Sequence, residues 1–329
     1  MANILNPNID NMRFYDSDPL SHEKDITRDL LANESGGMSS DISDNMTQLA
    51  TAAKLTMKKR KPIYDFKTKN KSFLNLYNDL YKLGIKNNKF FLKLYDPDLV
   101  GIDVYTQILP LDIQMKVLLE CMINPWYFLR EICRIPEDGS PIEVGGGSEF
   151  LIDRNSAASW YCFLNGIDHY DSKSRQCGKT QNAVAEINYS FHFGAMASTF
   201  LFFNKDFPLA KQNLYRLKCQ RDMMPKWLQM TIAYKEDGTI EKGRDNITTM
   251  SNPINGNMIK VMPKATSKDS AIKLGRGDTA AFHYCDEFDF WPYNTEIMKA
   301  AAFSYARASE NAIKNHSLHG RIFTSTPTR

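Results

Sequence analysis

The chain has 329 residues, 43% hydrophobic and 12% aromatic, with 41 Lys and Arg against 38 Asp and Glu. That is apolar material for about two domains of roughly 150 residues. It excludes a wholly disordered chain, and no run reaches the ~18 consecutive apolar residues of a membrane span. Six scattered cysteines without a CxxC pair argue against a disulfide framework or a zinc site. The opening residues, Met1 to Asn6, lack the charged and apolar regions of a signal peptide, so a soluble, intracellular protein is expected.

The near-neutral total hides an asymmetry. Residues 1–53 carry nine acidic and three basic residues, a net of −6, whereas residues 54–100 carry twelve basic and four acidic, a net of +8. Residues 1–40, rich in Asn, Asp and Ser, read as a mobile acidic tail. Ile42, Met46, Leu49, Ala53 and Met57 then fall on one helical face. Lys58-Lys59-Arg60-Lys61 ends that helix, either as a solvated helix end or as a nucleic-acid contact or nuclear address, and Pro62 stops it.

Residues 63–100 interleave lysines with Tyr64, Phe66, Phe73, Tyr77, Tyr81, Phe90, Phe91 and Tyr95. The helical spacing of Phe73, Leu76 and Leu80 predicts that most of these rings pack inward; a stacking platform for nucleic acid would need them exposed. Residues 41–110 are thus a basic, aromatic, helical accessory region. Helices are expected over Leu111–Met122 and Trp126–Cys133, followed by turn-rich segments at Glu137–Pro141 and Gly145–Ser148. Beyond residue 150, strands are expected at Ser198–Phe203, Met258–Met262, Ala280–Cys285 and Arg321–Thr324, and helices at Phe207–Cys219 and Thr295–Ala308. That alternation predicts an α/β fold with a mainly parallel sheet.

Three motifs carry chemistry. Ser174-Arg175-Gln176-Cys177-Gly178-Lys179-Thr180 precedes a helical pattern. A Gly-Lys-Thr that opens a helix offers backbone N–H groups to phosphates, a mobile cation in Lys179 and a hydroxyl for Mg²⁺ in Thr180. The match to a full phosphate loop is partial: Lys173 stands where the pattern has its first glycine, and Ile167–Asp171 is too polar for a buried central strand. The second motif is a strand ending in Asp286-Glu287, one carboxylate to hold a metal and one to activate water. The third is a strand running into Thr324-Ser325-Thr326 at the edge where open α/β sheets bind ligands. Asp289 reads as a surface carboxylate or cap, His283 and Cys285 as strand filler, and His316 and His319 as exposed. The order of the three motifs predicts a P-loop ATPase.

With these residues in view, the chain resembles the large terminase subunit, the DNA-packaging ATPase of tailed bacteriophages, over about residues 115–329. Its Ser174–Thr180 loop, lacking the first glycine, is similar to that of contractile-tailed phages. Arg276-Gly277, Asp286-Glu287, Thr324–Pro327 and the Asn124–Arg130 segment also match. The resemblance implies a RecA-like core of the additional-strand catalytic-glutamate type over 111–329, preceded by the helical N-terminal region. It implies that Ser174, Gln176, Cys177, Gly178, Lys179 and Thr180 bind ATP and that Thr180 and Asp286 hold Mg²⁺. Glu287 would activate water, Thr324, Ser325 and Thr326 would couple hydrolysis to movement, and Arg175 in cis and Arg276 in trans would stabilise charge. Arg154 or Asn155 is the candidate adenine contact.

The implied partners are double-stranded DNA, the portal, the small terminase subunit and sister subunits in a ring, with no membrane, in the host cytoplasm and transiently at the capsid portal. Because the sequence stops after Thr328-Arg329, the lid and nuclease are expected to be missing or on another chain, and no nuclease activity is expected. The alternatives are a helicase-like translocase and a non-catalytic ATP- or DNA-binding scaffold.

Overall fold

The computed structural model describes residues 61–106, 109–234, 239–274 and 276–327. The acidic tail and the helix expected over 41–60 lie outside the described residues. The chain divides into two units, the first made of residues up to Asp153 with Asp222–Lys242 and Pro253–Asn255, the second of Arg154–Arg221, Gly243–Asn252 and Gly256–Arg329.

In the first unit, helix α1 (Lys71–Lys82) starts where the Asn70 side chain accepts the Ser72 N–H at 3.2 Å, and it turns Phe73, Leu76 and Leu80 inward. The inward prediction for the aromatics holds for Phe73, Phe90 and Phe91, whereas Tyr64, Phe66 and Tyr81 stay exposed. Tyr81 follows the buried Leu80 by one residue, a 100° turn that carries it off the inward stripe. Helix α2 (Leu111–Ile123) is tied to the accessory segment by a buried carboxylate. Glu120 accepts the backbone N–H groups of Tyr95 (3.0 Å) and Asp96 (3.0 Å) and the Asn124 amide (2.6 Å). The accessory segment and these helices therefore share one unit, whose first stretch runs to Asp153. The helix expected over Trp126–Cys133 is a short α turn, Pro125–Tyr127, running into a π turn, Phe128–Ile132. Gly147 links two paired strands at φ +65°, and a Cβ there would meet the Ile135 carbonyl oxygen at 2.3 Å.

The second unit is built on a six-stranded sheet. Its strands are β1 (His169–Ser172), β2 (Thr199–Asn204), β3 (Thr249–Ser251), β4 (Met258–Val261), β5 (Phe282–Asp286) and β6 (Gly320–Ser325). The spatial order is β1-β6-β5-β2-β4-β3, parallel except for the β4–β3 pair. The helices are α3 (Arg154–Leu164), α4 (Lys179–Tyr189), α5 (Phe207–Met223), α6 (Lys268–Lys273) and α7 (Asn294–Lys314).

Strands β2 and β5 are apolar runs because both their faces are covered. Leu201, Phe203 and Cys285 share a core with Ile297 of α7 and Ala271 of α6. On the other face Phe200 stacks on Phe282 (4.1 Å, 5°), and Phe163 of α3 meets Phe282 at 6.2 Å. Strand β1 is an edge strand with alternating burial, which explains how so polar a segment forms a strand. All six cysteines are free, and no helix among the described residues is long and apolar enough to cross a membrane.

Burial pushes the Glu120 carboxyl up to about 7 despite the three N–H groups aimed at it. The folded state therefore holds that proton more tightly than the unfolded chain, whose glutamates titrate near 4.5. The contribution to stability is largest at low pH and is lost as pH rises through about 7. Glu120→Gln, which cannot ionise, should gain about 2 kcal/mol relative to wild type between pH 5 and pH 8 in urea unfolding. Parallel pH profiles for the two proteins would contradict this.

Candidate functional site

Parallel strands β1, β6, β5 and β2 end at one edge, and their registry aligns their last residues: Asp286 lies beside Thr324 and Asn204, and Ser325 beside Ser172. The residues that follow each strand therefore meet there. Leaving β1, the chain forms an exposed loop, Lys173 to Gly178, before α4 begins. Gly178 caps the helix at φ +70° and Gln176 also takes a left-handed conformation, φ +62°. Such turns line up backbone N–H groups with a helix N-terminus. The Ser174 hydroxyl lies 2.9 Å from the Cys177 sulfur, which donates to the Arg175 carbonyl at 3.7 Å. Lys173, in place of a glycine, anchors the loop: its N–H donates to the Ser325 carbonyl at 3.3 Å and its ammonium pairs with Asp171 at 2.8 Å.

Lys179 is buried to 7% exposure, and its ammonium donates to the Thr326 hydroxyl and lies 3.8 Å from the Glu287 carboxylate. Glu287 reaches it because its own backbone is left-handed, φ +54°. For a non-glycine residue that conformation is strained.

Asp286 is held by three donors. The Thr324 hydroxyl donates to Oδ1 at 2.6 Å, while the Asn204 and Asn213 amides donate to Oδ2 at 3.0 and 2.9 Å. Alternation along β6 sends Thr324 and Thr326 to this side, whereas the Ser325 hydroxyl accepts the Asp289 N–H at 3.4 Å. Thr180 is half-buried, and its hydroxyl, like that of Thr324, faces the buried Tyr284. Mg²⁺ at a nucleotide needs only one or two protein ligands beside phosphate oxygens and water. The Thr180 hydroxyl and Asp286, whose Oδ1 accepts a single protein donor, fit that need. No cluster of three His, Cys, Asp or Glu residues occurs among the described residues.

The structure thus brings together Lys179, Asp286, Glu287, Thr324 and Thr326. Arg175 is exposed on the loop, and Arg276 is exposed in the turn after α6, its N–H on the Lys273 carbonyl at 3.3 Å. Neither guanidinium contacts that cluster among the described residues. Arg154 and Asn155 are exposed at the start of α3.

Sequence reasoning missed Asn204 and Asn213. Asn213 shares the buried stripe of α5 with Ala210, Leu214 and Leu217, and a polar residue on such a stripe was the available signal. Asp289 is exposed, as expected of a surface carboxylate, and accepts a hydrogen bond from the Tyr170 hydroxyl. His283 is buried strand filler, pushed down to about 4 by burial and the nearby Arg321. His316 is exposed as expected, whereas His319 is half-buried against Gly166.

No protein-family model matches this chain, and no curated protein sequence matches it.

Behind the loop, a buried network joins its two flanks. Glu186 of α4 accepts the Ser159 hydroxyl (2.6 Å) and the Asn182 amide (3.0 Å), and lies 3.4 Å from His169 of β1. Burial alone would lower the His169 pKa, but the Glu186 carboxylate outweighs it and the pKa is raised from 6.5. The stability this pair contributes is fully present below pH 6.5 and is lost as pH rises through the raised value. Melting temperatures at pH 6 and pH 8.5 should differ less in Glu186→Gln than in wild type. An unchanged difference would contradict the ion pair.

Proposed function

We propose that the second unit binds and hydrolyses ATP, and that it does so as the motor part of a terminase-type machine that drives double-stranded viral DNA into a capsid. The observation that carries the first half is the 3.8 Å approach of the Lys179 ammonium to Glu287, one residue beyond the strand-end carboxylate of Asp286. Topology supports it, since β6 lies between the loop-bearing β1 and the carboxylate-bearing β5, as an additional-strand ATPase requires.

In this reading the Ser174–Gly178 backbone and the α4 N-terminus receive the phosphates. Lys179 exchanges Thr326 and Glu287 for phosphate oxygens, and the released Glu287 orients a water and takes its proton. Thr180 and Asp286 would hold Mg²⁺, which supplies charge neutralisation at the phosphates. Asn204, Asn213 and Thr324 keep the Asp286 carboxylate in place for that task. Arg175 and, from a neighbouring subunit, Arg276 complete the charge. The whole machine adds a ring of subunits, the portal and the small subunit. Duplex contact in such a motor runs through phosphates and is salt-dependent.

Three variants test this. Lys179→Ala should lose binding of a fluorescent ATP analogue. Glu287→Gln should keep binding but hydrolyse at least about 100-fold more slowly. Asn213→Ala should demand about 10- to 100-fold more Mg²⁺ for half-maximal turnover. Wild-type turnover no higher than that of Glu287→Gln, with nucleotide still bound, would overturn catalysis and leave a nucleotide-binding scaffold.

A further inference from the structure

The first unit carries a feature that the proposed ATPase does not use. Tyr64, Phe66 and Tyr81 are 41%, 47% and 49% exposed, and Tyr77 is half-buried between them. The rings are continuous: Phe66 meets Tyr77 edge-on at 5.4 Å, and Tyr77 meets Tyr81 at 6.1 Å. The Lys89 ammonium joins Tyr64 to this strip, lying 5.5 Å from the Tyr64 ring centre and 5.8 Å from that of Phe66. Edge-on and tilted packing fixes the rings against one another.

The charge around the strip is one-sided. Lys61, Lys67, Lys71 and Lys86 are exposed and have no ion-pair partner among the described residues. The two carboxylates of the same stretch are already engaged: Asp65 is buried and accepts the Lys67 N–H at 2.8 Å, and Asp79 lies 3.8 Å from Lys82. Exposed rings alone would suit any apolar partner. Rings interleaved in sequence with unpaired lysines suit a flexible polyanion with flat apolar faces.

We propose that the strip Tyr64–Phe66–Tyr77–Tyr81 with its lysines binds single-stranded nucleic acid, unpaired bases stacking on the rings and phosphates pairing with the lysines. A duplex keeps its base faces stacked internally, so it offers the rings nothing and can use only the lysines. Binding at this strip stands whether or not the second unit hydrolyses ATP.

The test is fluorescence anisotropy of the full chain with three labelled probes: oligo(dT) and oligo(U) of about twelve nucleotides, and a duplex of similar length. The single strands should bind more tightly than the duplex, and the oligo(dT) and oligo(U) arms tell DNA from RNA. Phe66→Ala and Tyr81→Ala should each weaken single-strand binding roughly ten-fold while leaving duplex binding unchanged. Tyr81→Trp should retain binding, which separates stacking from a purely structural role. Lys67→Ala with Lys86→Ala should flatten the salt dependence of single-strand binding by about one unit of log K per log salt. Phe303→Ala, which removes an 89% exposed ring on α7, should change nothing.

Equal affinity for duplex and single strand would overturn the proposal. So would unchanged oligo(dT) and oligo(U) binding in both alanine variants, provided their melting temperatures match wild type. Competition by a polyglutamate peptide as effective as by oligo(dT) would also overturn it, since the surface would then read charge alone.

Discussion

A single ammonium group joins the parts of the sheet edge. Lys179, at the first turn of α4, spans from the loop after β1 to Thr326 beyond β6 and Glu287 beyond β5. Its side chain is buried, and among the described residues its ammonium pairs with a hydroxyl and a carboxylate. A buried cation paired this way is costly to strip of a partner but easily re-paired with a stronger anion. That exchange is the physical basis for reading the edge as a phosphate site. In the proposed function, release of Glu287 and capture of phosphate become one event.

The neighbouring carboxylate is built for the opposite behaviour. Asp286 has three donors from three different elements, β6, β2 and α5, so its position is set by the sheet and helix rather than by its own loop. Two adjacent acids thus differ in how they are held, Asp286 by three donors and Glu287 23% exposed on a strained turn. Fixed geometry suits a group that orients a cation and its waters, and freedom suits one that must approach and take a proton.

Much of this edge was legible in the sequence. Apolar runs at Ser198–Phe203 and Ala280–Cys285 read as strands, and the strands observed at Thr199–Asn204 and Phe282–Asp286 are apolar because both faces of the sheet are covered. Gly178-Lys179-Thr180, Asp286-Glu287 and Thr324–Thr326 were legible because each sits where a strand or helix boundary has a plain signal. Three things were not. The polar segment His169–Ser172 forms a strand only because it lies at the sheet's edge, which depends on strand order rather than local composition. Asn204 and Asn213 come from elements 82 and 73 residues away from Asp286, a distance at which no spacing rule operates. The exposure of Tyr81 depends on which side of α1 faces the core, and Tyr64 and Phe66 precede that helix, where its period says nothing about their burial.

The central claim is that Lys179, Thr180 and Asp286 address one metal-bound nucleotide. Electron paramagnetic resonance of Mn²⁺ bound in place of Mg²⁺ with ATP reads this directly, through the coupling of the manganese to phosphorus nuclei on the protein. The account predicts protein-bound Mn²⁺ with phosphorus coupling in wild type, lost in both Lys179→Ala and Asp286→Ala. The same bound signal surviving unaltered in those two variants would place the nucleotide elsewhere and contradict the account.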